Sequence, residues 1–125
     1  MSTPALTFVL VLEDEPFIAM DLQFALEDVG ITAVTAKSSE EAFAALENNT
    51  IDGGILDVNL GKGMTCEPVA LELHRRGVPF ILNTGDLDRS GELLRRFDAP
   101  VVAKPTPAEM VVDRLLAFAA GRYPR

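Results

Sequence analysis

Two kinds of hydrophobic pattern alternate along this chain. "ALTFVLVL" (5–12) is a continuous apolar run of strand length, which predicts a strand covered on both faces. Pro16 then suits the first turn of a helix, and Ile18, Leu22, Ala25, Leu26 and Val29 follow at helical spacing, with Gly30 placed to end it. "ITAVTA" (31–36) predicts a weaker, more polar strand. Ser38 with Glu41 has capping-box spacing for a helix running to about Asn48. "IDGGILDV" (51–58) predicts a third strand, softened by two glycines.

The second half repeats the alternation. A glycine-containing loop, "GKGM", leads to a helix over roughly 66–76 that ends at Gly77. "VPFILNT" (78–84) predicts a fourth strand. "DLDRSGELLRRF" (86–97) predicts a poorer helix, because Gly91 lies inside it. "PVVAK" (100–104) predicts a short fifth strand. Thr106 with Glu109 has capping-box spacing, Pro107 suits the first helical position, and Val111, Val112, Leu115, Leu116 and Ala119 line one face. Five strands alternating with five helices predict a (βα)5 α/β fold of the flavodoxin-like kind, a parallel sheet with helices on both faces. No repeat, low-complexity tract or linker interrupts it, so 1–125 is expected to be one domain with no room for an appended output domain.

Composition narrows the function classes. With 19 acidic against 11 basic residues the formal net charge is −8, which argues against non-specific nucleic-acid binding. "HRRG" (74–77) and "RRF" (95–97) are the only basic candidates, each placed as a solvated helix end would be. No apolar run is long enough to span a membrane, and "MSTPALT" lacks the pattern of a secretory signal. A single cysteine, Cys66, excludes an internal disulfide and fits a reducing compartment, so a cytoplasmic location is expected. His74 fits a cation near a helix C-terminus and Cys66 an inert thiol.

The chemistry is carried by the strand ends. In open parallel sheets, sites form beyond the carboxyl ends of the strands. Here the first strand ends at Glu13 and Asp14, the third at Asp57, the fourth at Thr84 and the fifth at Lys104. With strand order 2-1-3-4-5, strands one and three are neighbours and the three acids converge on one pocket. Three carboxylates so placed call for a cation, and oxygen-only ligands suit Mg²⁺. Asp57, a hard cation, the ammonium of Lys104 and the hydroxyl of Thr84 are together the parts needed for phosphoryl transfer onto a carboxylate. Glu15 fits charge at the start of a helix.

The pieces "VLVLEDEP", "ILDVNL", "ILNTG" and "VVAKP", at these spacings, resemble the receiver domain of two-component response regulators over essentially the full chain. "PFILNTG" (79–85) is similar to the FAT GUY subgroup. The resemblance implies that Asp57 accepts phosphate from a phosphohistidine on a sensor histidine kinase or histidine phosphotransfer protein. It implies that Asp14 ligates Mg²⁺ directly, Glu13 acts through metal-bound water, and the backbone carbonyl of Asn59 is a further ligand. It also implies that Thr84 and Lys104 contact the phosphoryl group and that Lys104–Pro105 is a cis peptide. By the same resemblance a downstream protein would meet the face made by the fourth helix, fifth strand and fifth helix; Gly91 weakens that helix, so segment 85–98 is the expected mobile switch.

Three departures bear on this expectation. Glu13 stands where the receiver pattern usually has Asp, Gly61 replaces a common proline, and Val101 replaces the usual aromatic switch residue. Two other classes use similar parts. A haloacid-dehalogenase-like phosphatase would need a second acid where Asn59 stands, and a flavodoxin-like FMN carrier would need a phosphate loop where Glu13 and Asp14 stand. A non-phosphorylated pseudo-receiver that only binds a partner is the remaining alternative.

Overall fold

The computed structural model describes residues 6–122, apart from the side chains of Arg89, Ser90 and Leu94. Strands and helices alternate as β1 Phe8–Leu12, α1 Pro16–Asp28, β2 Thr32–Ala36, α2 Ser39–Asn48 and β3 Gly53–Leu56, followed by α3 Glu67–Arg75, β4 Phe80–Thr84, α4 Leu87–Phe97, β5 Val101–Ala103 and α5 Ala108–Ala119. All strand pairs are parallel, and the sheet order is β2-β1-β3-β4-β5. The expected (βα)5 architecture is the one observed.

Period-two alternation in the strands splits the core into two layers. Leu10, Leu12, Leu56, Phe80 and Leu82 face α2, α3 and α4, packing on Ala42, Leu46, Val69, Leu73 and Leu93. Val9, Val11, Ile55, Ile81 and Val102 face α1 and α5, packing on Leu22, Leu26, Val111, Val112 and Leu115. Continuous apolar runs in β1 and β4 follow from this, because both faces are covered. β2 is an edge strand with two exposed threonines, Thr32 and Thr35, which accounts for its more polar sequence.

Several boundaries differ from the sequence pattern for local reasons. β1 starts at Phe8, because the N–H groups of Thr7 and Phe8 donate to the Asp52 carboxylate at 2.8 and 3.0 Å. Ala5, the expected start of that strand, lies outside the described residues, as do residues 1–4. Glu15 is the N-cap of α1, its Oε1 accepting from the N–H of Phe17 and Ile18, with Pro16 in the first turn. Ser38 caps α2 by accepting from Glu41 N, while Glu41 reaches back to Lys37 N. The second capping box does not form. Pro107 is the N-cap of α5, so Glu109 sits at the second helical position, one short of the required spacing, and the Thr106 hydroxyl donates to the carbonyl of Ala103.

The two glycines of β3 do more than soften a strand. A Cβ on Gly54 would stand 3.0 Å from Leu73 Cδ1 and 3.2 Å from Phe80 Cβ, and one on Gly53 would stand 2.8 Å from Leu6 Cδ1. The glycines let α3 and the start of β1 press close to the sheet centre. Gly54→Ala is therefore expected to destabilise by roughly 1–3 kcal/mol through overpacking, despite the better backbone entropy of alanine. Urea unfolding monitored by far-UV circular dichroism would measure this, and an unchanged midpoint would show that Leu73 yields freely.

α4 forms across Gly91 and is tied down at its C-terminal end. Arg96 pairs with Glu67 of α3, and the Phe97 ring lies 5.3 Å from His74 and 6.0 Å from Phe80, centroid to centroid. His74 is exposed in the last turn of α3 and meets Phe97 near the start of β4, the end of the sheet remote from the strand-end acids. Among the described residues no helix is long and apolar enough to cross a membrane.

Candidate active site at the carboxyl ends of the strands

Sheet register assembles the polar strand ends. Leu12 pairs with Leu56, which brings the next residues of β1, Glu13 and Asp14, beside Asp57. Thr84 pairs with Ala103, which sets Thr84 beside Lys104. Oxygens of Glu13, Asp14 and Asp57, one from each, all lie within 4.8 Å of one another. A cavity of about 410 Å³ opens here, lined by Asp14, Asp57, Asn59, Thr84, Asp86 and Lys104 among others.

The site is half sunk into the protein. Glu13, Asp57 and Thr84 are 3 %, 7 % and 1 % exposed, whereas Asp14 and Asn59 are exposed. Lys104 Nζ lies 2.8 Å from Glu13 Oε1 and 3.3 Å from Asp57 Oδ2, so one ammonium bridges two strand-end acids. Burial pushes the Glu13 carboxyl above its usual range, and the hydrogen bond from Lys104 opposes this only in part. For Lys104, burial works against the charged form, but its hydrogen bond to Glu13 and the charges of Glu13 and Asp57 outweigh it and hold the ammonium above the ordinary lysine value.

That direction has a sign for stability. A lysine raised in the folded state contributes stability in full below the ordinary value of 10.5, and loses it as pH climbs through the folded value. Wild type is therefore expected to lose stability on alkaline titration more steeply than Lys104→Met. Parallel slopes for the two proteins in thermal melts above that pH would contradict the coupling.

Loop geometry shapes the rim. Asn59 Oδ1 accepts from Gly61 N, and Gly61, Lys62 and Gly63 all have positive φ, 85°, 54° and 75°. Proline, locked near −65°, could not occupy position 61 in this loop, so the Gly61 departure belongs to a different loop shape. A Cβ there would stand 3.6 Å from Asp14 Oδ2, and glycine keeps that side of Asp14 open. Thr84 Oγ1 accepts from Asp86 N, which fixes the turn after β4. Lys104–Pro105 is cis, as the resemblance implies.

Every candidate site residue lies at this end of the sheet. Three features escaped the sequence pattern. Asp86 lines the cavity but looks like one of several helix-start acids. Glu13 is buried against Lys104, although nothing in "LEDEP" distinguishes it from its neighbours. Asn83, 4 % exposed, donates from Nδ2 to the Val102 carbonyl at 3.1 Å and so ties β4 to β5; the only signal was a polar residue inside an apolar run. Cys66 is fully buried and its thiol is pushed up to about 12 by desolvation and the charge of Asp57, which makes it inert at neutral pH. Val101 is half-buried in β5.

No protein-family model and no curated protein matches the chain. Solved structures do. The chain is 42 % identical to SdrG from Sphingomonas melonis Fr1, covering 94 % of this chain and 98 % of that one, with a TM-score of 0.77. A receiver domain protein (CheY-like) from Methanospirillum hungatei JF-1 is 21 % identical over 94 % of this chain and 97 % of its own, with a TM-score of 0.81. One from Clostridium thermocellum is 27 % identical over 94 % and 96 %, with a TM-score of 0.75. Fold, strand-end acids and these likenesses agree: the chain belongs to the response regulator receiver domains of two-component signalling.

Proposed function

We propose that this receiver accepts phosphate on Asp57 in a two-component or phosphorelay exchange. The observation that carries the reading is the convergence of Asp14, Asp57 and Lys104 on one strand-end cavity, with Lys104 Nζ 3.3 Å from Asp57 Oδ2. An Asp57 carboxylate oxygen attacks the phosphorus of a phosphohistidine on a sensor kinase or histidine phosphotransfer protein. The new O–P bond forms as the N–P bond breaks, and the imidazole leaves. Lys104 offers fixed positive charge to the phosphoryl oxygens, and Thr84 offers a hydroxyl from the neighbouring strand.

The donor set fits a hard divalent cation. Asp14, Asp57 and Asn59 line the cavity, and the carboxylates with the Asn59 backbone carbonyl that the resemblance implies would offer oxygen only, with room for water in the remaining positions. Mg²⁺ held there would neutralise charge on the phosphoryl oxygens. Glu13 stands close enough to act through a metal-bound water, as the resemblance implies, but its contacts support another role developed below.

Two surfaces suit protein partners. Leu87 on α4 and Met110 on α5 are exposed, on the two helices expected to meet a downstream protein. Phe17, Met20 and Phe24 form an exposed stripe along α1, starting beside the strand-end acids, and suit the phosphate donor. The FAT GUY kinship rests on "PFILNTG" alone.

Incubation of the purified chain with a small acyl phosphate tests this reading. Stoichiometric, alkali-labile labelling that requires Mg²⁺ is expected. Absence of label with and without the metal would favour a non-phosphorylated binding module, and continuous release of phosphate from simple esters would favour a phosphatase.

A further inference from the structure

Two adjacent acids leave β1 with different outlooks. Asp14 borders the 410 Å³ cavity that holds Asp57. Glu13 does not; it borders a neighbouring cavity of about 290 Å³, shared with Asp14, Pro16, Thr35 and Lys37 among others. Both Glu13 oxygens are engaged within the protein. Oε1 accepts from Lys104 Nζ at 2.8 Å, and Oε2 accepts from Glu15 N at 3.2 Å. The same ammonium stands at the longer distance of 3.3 Å from Asp57 Oδ2.

Lys104 therefore has two carboxylates to choose between, and it leans to Glu13. An ammonium seated fully on Asp57 would neutralise the nucleophile and compete with any cation for the same oxygen. An aspartate at position 13 would be shorter by about 1.5 Å, one carbon–carbon bond, and would not span the present contact. The extra methylene is what lets this strand end hold the lysine.

We propose that Glu13 is a positioning residue for Lys104, holding its ammonium off Asp57 so that Asp57 and Asp14 stay open to a divalent cation. Glu13 then acts on the metal through Lys104 and not through a metal-bound water. This deepens the receiver reading and rests on it.

A double-mutant cycle separates the two routes. Mg²⁺ dissociation constants would be taken from the amide shifts of Asp57, Asn59 and Gly61 in ¹⁵N-labelled wild type, Glu13→Gln, Lys104→Met and the double variant. Glu13→Gln is expected to weaken Mg²⁺ binding about tenfold when Lys104 is present, and by less than about twofold when it is absent. An equal loss in both backgrounds would overturn the proposal, because Glu13 would then serve the metal directly. Glu13→Asp provides a charge-conserving second variant. It should weaken Mg²⁺ binding as Glu13→Gln does, and wild-type or tighter binding would count against the idea.

A metal-free arm keeps the two readings apart. In chelator, the ¹⁵N signal of the Lys104 ammonium should move more on Glu13→Gln than on Asp57→Asn, and the reverse order would overturn the assignment. A wild type whose amides ignore Mg²⁺ would sink the metal-dependent receiver reading, and with it the claim about keeping the metal site open. The ammonium signal would still show which carboxylate holds Lys104.

Discussion

Asp57→Asn is expected to abolish phosphoryl labelling, by on the order of a thousandfold or more, while leaving the fold intact. The amide is nearly isosteric with the carboxylate, so the 7 % exposed site is not overpacked, and the Asp57 N–H still donates to the Leu12 carbonyl at 2.9 Å. What disappears is the anionic nucleophile. Neither acid at the end of β1 takes its place. Asp14 is exposed at the cavity edge, and both oxygens of Glu13 are already bonded to Lys104 and Glu15. Mass spectrometry of intact protein after reaction with a small acyl phosphate checks this. Equal labelling of wild type and variant would move the acceptor elsewhere. A second effect should accompany the loss: Lys104 loses one of two anionic partners and depends on Glu13 alone.

Asp14→Asn is expected to weaken Mg²⁺ binding by at least the roughly 10–100-fold that loss of even an outer-shell partner costs. Asp14 is the exposed member of the acid cluster, and Gly61 keeps space beside its Oδ2. Removing its charge leaves the proposed metal site with the Asp57 carboxylate, which faces an ammonium 3.3 Å away. A hard cation gains most from formal charge among its oxygen ligands, and an amide oxygen supplies only a dipole. The stability cost should be small, because the α1 cap belongs to Glu15 and no buried partner is orphaned. Calorimetric Mg²⁺ titration gives the readout, and an unchanged affinity would remove Asp14 from the metal site. Labelling at saturating Mg²⁺ should recover in part, which distinguishes this variant from Asp57→Asn.

Much of this was written in the chain order. Apolar runs broken by helical stretches dictate a parallel sheet, since parallel strands require crossovers and bury both faces. The strand ends then carry Asp14, Asp57, Thr84 and Lys104 to one rim, because strand direction is common to all five. Helix ends were legible where a short side chain and its backbone target lie within one turn, as with Ser38 and Glu41.

Spacing could not reveal contacts between residues far apart in sequence. Gly53 and Gly54 look like weak points in a strand until Leu6, Leu73 and Phe80 are seen pressing on them. Thr106 looks like a cap until the turn after β5 places Pro107 there instead. Gly61 looks like a plain replacement of proline until its φ of 85° excludes the proline.

Sequence alone determined the fold, the five strand-end positions and the kind of chemistry they suit, because alternation and residue type are local properties. Only the tertiary structure decided which group Glu13 engages. Glu15 closes α1 and Asp14 faces the cavity, while Glu13, 91 residues from Lys104 along the chain, is the acid that holds it. That last pairing depends on β1, β3, β4 and β5 being stacked side by side, which no window of the sequence contains.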